Sequence, residues 1–122
     1  MPQGSRPDRV GDLIRGELSV QLTRFVRDPG VDHVTITHVR MSNDLQQARV
    51  FYTGSHDEGA RRETARALRR ARPFLRRQLG QRLELRRVPE LTFEYDDSIE
   101  RTDRLARLFD QIKGERRSDT EG

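Results

Sequence analysis

From Asp8 onward, Val10, Leu13, Ile14, Leu18, Leu22, Phe25 and Val26 recur at intervals of three and four, with Gln21 in the same register. That spacing predicts an amphipathic helix. It should stop before Asp28-Pro29-Gly30, because a residue preceding proline avoids helical geometry. Val34 to Met41 then alternates and is β-branched, Ser42-Asn43-Asp44 has turn chemistry, and Ala48 to Thr53 is a second β-rich run. Two such runs across a short polar link predict a β-hairpin. Asp57 is placed to cap a second helix from Gly59, with Ala60, Thr64, Ala67, Leu68 and Ala71 on one stripe. On another stripe stand Arg62, Arg66, Arg69 and Arg70, which would face solvent together.

Pro73 lacks an amide hydrogen and disfavours helix at Arg72, so the helix is expected to break at Ala71-Arg72-Pro73 and restart. Phe74, Leu75 and Leu79 would form the new apolar face and Gly80 its C-terminal cap. Leu83 to Tyr95 alternates and reads as a third strand, with Pro89 at an edge, a bulge or its start. A short helix carrying Leu105, Leu108 and Ile112 follows, then a polar tail from Gly114. The expected division is a flexible 1–7, a folded domain over 8–98, and a short helix with a flexible tail over 99–122.

Composition adds a partner class. Eleven arginines and only two acids, Glu63 and Glu84, lie between Arg61 and Arg87. The whole chain nets +4, so the residues outside that segment are net negative. Segregated positive charge attracts a polyanion, and nucleic-acid phosphates are the usual one. A helix break would also expose free N–H groups suited to a phosphate, flanked by Arg72, Arg76 and Arg77.

Other chemistry finds little to stand on. There is no cysteine, which excludes disulfides, thiol catalysis and thiolate metal sites. His33, His38 and His56 show no metal-ligand spacing, and no cofactor motif is present. Asp96-Asp97 suits turn and capping roles better than a carboxylate pair, since adjacent residues at a strand end point apart. Most of the seven aromatics fit a core, although either Phe51 or Tyr52 must face outward and could stack a base. No run is apolar enough to span a membrane, and no leader pattern opens the chain, so a cytoplasmic location is expected.

Several stretches resemble the ribosome-binding factor A family over nearly the whole chain. They include Arg9-Val10, Asp28-Pro29, Val34 to Val39, and Ser42-Asn43-Asp44-Leu45-Gln46-Gln47-Ala48-Arg49-Val50. The most specific are Leu75 to Gly80, Leu85 to Phe93, and Tyr95-Asp96-Asp97-Ser98. The resemblance implies an α+β, type II KH-like domain ordered α-β-β-α-kink-α-β, with helices on one face of a three-stranded sheet. It places a family kink, Ala-x-Gly, at Ala71-Arg72-Pro73, with proline where glycine is expected.

By the same resemblance the protein would be a monomeric, non-enzymatic factor of small-subunit assembly. It would bind 16S rRNA on free 30S subunits rather than joined ribosomes, assist maturation of the rRNA 5′ end and support growth in the cold. The expected RNA-facing residues are Arg62, Arg66, Arg69, Arg70, Arg72, Arg76, Arg77, Arg86 and Arg87. Two alternatives stay open: an RNA-processing nuclease using Asp96 and Asp97, and a protein adaptor acting through the first and last segments.

Overall fold

The computed structural model describes residues 4–121, with side chains through residue 115. Helix α1 (Arg6–Arg24) leads through a short 3-10 turn (Pro29–Val31) into β1 (Thr35–Met41) and β2 (Gln47–Thr53). Helix α2 (Glu58–Arg82), β3 (Glu90–Tyr95) and α3 (Ser98–Glu121) follow. The sheet order is β1-β2-β3, with β1–β2 antiparallel and β2–β3 parallel. A parallel pair needs a crossover, and α2 supplies it.

A bulge between Ile36 and His38 settles how β1 buries its apolar residues. Without it, the spacing of Ile36 and Val39 would put them on opposite faces. With it, Ile36, Val39 and Met41 join Ala48, Val50, Tyr52 and Leu91 in the core. Ile14, Leu18 and Leu22 of α1 cover that face beside Ala67, Leu68, Leu75 and Leu79 of α2. A Cβ on Gly11 would stand 2.6 Å from the Val39 carbonyl oxygen, so glycine lets α1 approach β1 this closely. The α+β architecture read from the sequence is the one observed.

Five local expectations are corrected. Residues 1–3 of the proposed loose N-terminus lie outside the described residues, but Ser5 already caps α1. Its hydroxyl accepts from the Asp8 amide at 3.3 Å while the Asp8 carboxylate accepts from the Ser5 amide at 3.2 Å. Pro7 falls in the first turn, where its missing N–H costs nothing.

The second correction concerns Pro73. Helix α2 runs unbroken from Glu58 to Arg82, with Pro73 inside it. An interior proline costs about 3 kcal/mol. Leu68 before it and Leu75 and Leu79 after it are fully buried on one stripe, and each such burial returns about 1.5–3 kcal/mol. Arg69, whose carbonyl loses its helical partner, is exposed to water. Packing on both sides therefore outweighs one missing hydrogen bond, and no second helix N-terminus exists to offer free N–H groups.

Third, Gly80 is not the cap. The helix ends at Leu83, and the Leu85 amide reaches back to the Gly80 carbonyl at 3.1 Å around Glu84, whose φ is 51°. This is a Schellman closure with glutamate where glycine is usual. Gly80 instead makes room for Val88, whose Cγ2 would lie 2.8 Å from an added Cβ. Fourth, Leu83 to Pro89 is consequently cap and loop, and β3 begins only at Glu90.

Fifth, the C-terminal helix is long, and the expected tail from Gly114 is helical through Glu121. Among the residues whose side chains are described, only its base is anchored. Glu100 accepts from Arg61 at 2.8 Å and from the Tyr95 hydroxyl at 3.2 Å, and Arg61 covers the Tyr95 ring at 3.7 Å. Residues 101–115 are all exposed. Of the seven aromatics, most of them expected to fit a core, Phe25 and Phe109 are exposed.

Because Pro73 sits inside an otherwise regular and well-packed helix, Pro73→Ala should raise the unfolding free energy by about 1–3 kcal/mol. Urea denaturation checks this; an unchanged or lowered midpoint would mean that the backbone there is not helical.

Candidate nucleic-acid interface

Apart from Arg82, which pairs with Glu17 of α1 at 3.1 Å, the arginines of α2 divide into three rows because the helix repeats every 3.6 residues. The outward row is Arg62, Arg66, Arg69 and Arg77, spaced four, three and eight, with Pro73 filling the remaining position. All five residues are exposed. Among the described residues Arg62, Arg69 and Arg77 make no ion pair or side-chain hydrogen bond, and Arg66 only approaches Glu63 at 3.7 Å. A like-charged row with a single, long ion pair repels itself, which favours an external anion.

The two flanking rows are occupied within the fold. Arg70 donates to Asp28 and to Glu63, each at 2.9 Å. Those bonds, Glu63 first, raise the guanidinium's pKa. The Arg70 bond and the Gly30 amide in turn hold the Asp28 carboxyl below its usual range. Asp28 thereby joins the 3-10 turn to α2. On the other flank, Arg72 donates to the Leu91 carbonyl at 3.3 Å, and Arg76 to the carbonyls of Val88 and Pro89 at 3.0 and 3.1 Å. These two arginines tie α2 to the start of β3. Of the nine arginines read from the sequence, Arg70, Arg72 and Arg76 are therefore braces.

Arg86 and Arg87 stand apart from the outward row. They lie on the α2–β3 loop and border a cavity of about 470 Å³ whose far side carries Arg6 of α1. Sequence reasoning missed Arg6, because it was assigned to a loose leader. Its one signal was the Ser5–Asp8 capping pattern, which would have put Arg6 on a rigid helix.

The uncovered sheet face decides between Phe51 and Tyr52. Tyr52 is buried, whereas Phe51 points outward, stacked 6.2 Å from His38 and covered by Arg49 at 5.2 Å. Arg49 is itself paired with Glu94 at 2.7 Å.

Asp96 and Asp97 do not converge. The Asp96 carboxylate accepts from the Ser98 amide at 2.9 Å and from the Thr37 hydroxyl. Hydrogen bonds from Ser98 and Thr37 hold its pKa below the ordinary range. Asp97 pairs with Arg101 at 3.0 Å. Among the described residues no three His, Asp or Glu side chains come together as a metal set, and no helix is long and apolar enough to cross a membrane.

Comparison with known proteins identifies the family. Residues 6–109 match the sequence model described as Ribosome-binding factor A. Ribosome-binding factor A of Syntrophobacter fumaroxidans is 43% identical over 109 residues, covering 88% of this chain and 93% of that protein. The crystal structure of ribosome-binding factor A from Thermus thermophilus superposes with a TM-score of 0.65 at 26% identity, covering 73% of this chain and 93% of that one. A homology model of the Thermus thermophilus factor, fitted into a cryo-EM map of its 30S complex, gives 0.52 at 29% identity, over 70% and 93%. On fold and sequence together, the chain belongs to the ribosome-binding factor A family.

Proposed function

We propose that this protein is a non-catalytic assembly factor of the small ribosomal subunit, docking on 16S rRNA through the outward arginines of α2. One observation carries the reading: four exposed cations in register on a rigid helix, three of them without an internal partner. Planar guanidinium groups suit phosphate oxygens, and a helix fixes their spacing. A protein that binds one rRNA conformation better than another shifts the population toward it, with no covalent step. Family membership supports action on free subunits in the cytoplasm as a monomer, in 5′-end maturation and in growth at low temperature. The nuclease alternative gains nothing, since Asp96 and Asp97 already serve α3.

The adaptor alternative has one feature in its favour. Leu105, Leu108, Phe109 and Ile112 form an exposed apolar stripe on α3, and such a stripe suits a protein contact. The two modes can coexist. Truncation after Asp97 should then weaken sedimentation with whole small subunits while leaving affinity for naked rRNA unchanged; equal loss on both would assign α3 to RNA.

Reversal of Arg62, Arg66, Arg69 and Arg77 to Glu should abolish co-sedimentation with small subunits and leave circular dichroism intact. Four phosphate contacts also imply a log–log salt slope of about −3 or steeper for the unmodified protein. Retained sedimentation or a flat salt response would remove this face from the interface.

A further inference from the structure

The cavity between α1, the β1–β2 turn and the α2–β3 loop has features that the outward row of α2 does not use. At about 470 Å³ it falls within the range of small-ligand clefts, roughly 300–1,000 Å³. Val10, Met41, Leu45, Leu85 and Pro89 supply apolar wall, and Arg6, Arg86 and Arg87 border it. None of these three arginines has an ion pair or side-chain hydrogen bond among the described residues. Two acids also line the cavity, Asp44 and Glu84. The Asp44 carboxylate is already taken up by the Ser42 hydroxyl at 2.6 Å and the Gln46 amide at 3.1 Å. Both donors are neutral, so Asp44 keeps its charge, and the rim carries three cations against two acids.

Backbone strain gives a second, independent sign. The only non-glycine residues with positive φ among the described ones are Leu45 at 61° and Glu84 at 51°. Both line this cavity. A left-handed leucine is sterically unfavourable, and glycine would relieve it. What leucine contributes at that position is an apolar wall. Glu84 closes α2, so the strain left to explain at this cleft is that of Leu45, and such strain is a recognised mark of binding sites.

The chemistry of the rim indicates the occupant. A peptide adding itself to a sheet needs open backbone groups. Beside the β1–β2 turn three of them are engaged: Ser42 N–H bonds the Gln47 carbonyl, Leu45 N–H that of Ser42, and Glu90 N–H that of Gln46. The cavity presents apolar walls and guanidinium groups, which match a flat base flanked by phosphates. We propose that it takes one unstacked nucleotide of single-stranded RNA, the base against Leu45, Leu85 and Val10, the adjoining phosphates on Arg6, Arg86 and Arg87. This deepens the RNA reading and rests on it. It adds a contact that grips an unpaired base, where the α2 row reads only backbone charge.

The test is a methyl and amide NMR titration of the full chain with a hexameric oligoadenylate. Upfield ring-current shifts are expected at the methyls of Val10, Met41, Leu45 and Leu85, saturating together. The double variant Arg86→Ala, Arg87→Ala should raise the dissociation constant read at those methyls by roughly tenfold or more. Leu45→Gly, which suits the local φ and so keeps the fold, should weaken the signals at the Val10, Met41 and Leu85 methyls. Silence at the cavity methyls while amides of residues 62–77 respond would overturn the nucleotide pocket and leave the α2 interface standing. No response anywhere would overturn both. Cavity shifts produced by an acidic, leucine-bearing peptide and not by the RNA would overturn the proposal in favour of a protein occupant.

Discussion

Helix α2 must satisfy two environments at once, and the rest of the molecule is arranged around that constraint. One stripe, Thr64, Ala67, Leu68, Leu75 and Leu79, is buried against the sheet and its neighbours. The opposite stripe carries four cations, three of which have no counter-ion among the described residues. Burial of the first stripe is what holds the second in register despite its self-repulsion. The intermediate rows act as braces: Arg70 toward Asp28 on one side, Arg72 and Arg76 toward β3 on the other. Positive charge therefore plays two roles on one helix, and its angular position decides which.

That division explains what could be read from sequence alone. Periodicity located α1, the hairpin and α2, because the 3.6 and 2 repeats are properties of the residues themselves. It also placed the arginines on a helix and recognised their shared side. It could not separate Arg69, which is free, from Arg70, which is not. The partner Asp28 lies 42 positions away in sequence and meets Arg70 only once α2 has packed beside the 3-10 turn. Arg72 and Arg76 bind backbone carbonyls, and no sequence pattern marks a carbonyl as an acceptor.

Pro73 and Gly80 were misread for a common reason. Each has a strong local preference, for breaking and for ending a helix, and each was overruled by tertiary contacts on both sides. Local rules set a cost of about 3 kcal/mol for the proline, while the leucines that flank it jointly return more. Gly80 serves proximity rather than backbone freedom, since Val88 occupies the space a side chain would need. The left-handed turn falls instead on Glu84, four residues later. The exposure of α3 was equally hidden. Its apolar spacing is helical, but spacing cannot say whether the matching surface belongs to this chain or to another.

The absence of cysteine permits a direct spatial test of the central claim, that the outward row of α2 faces ribosomal RNA. A single Pro73→Cys variant, which removes no charge, can carry a tethered iron chelate for hydroxyl-radical probing on the small subunit. A second probe at Thr35→Cys on the β1 edge of the sheet serves as the comparison. The account predicts strong local rRNA cleavage from position 73 and markedly weaker cleavage from position 35. Strong cleavage from 35 with none from 73 would contradict it.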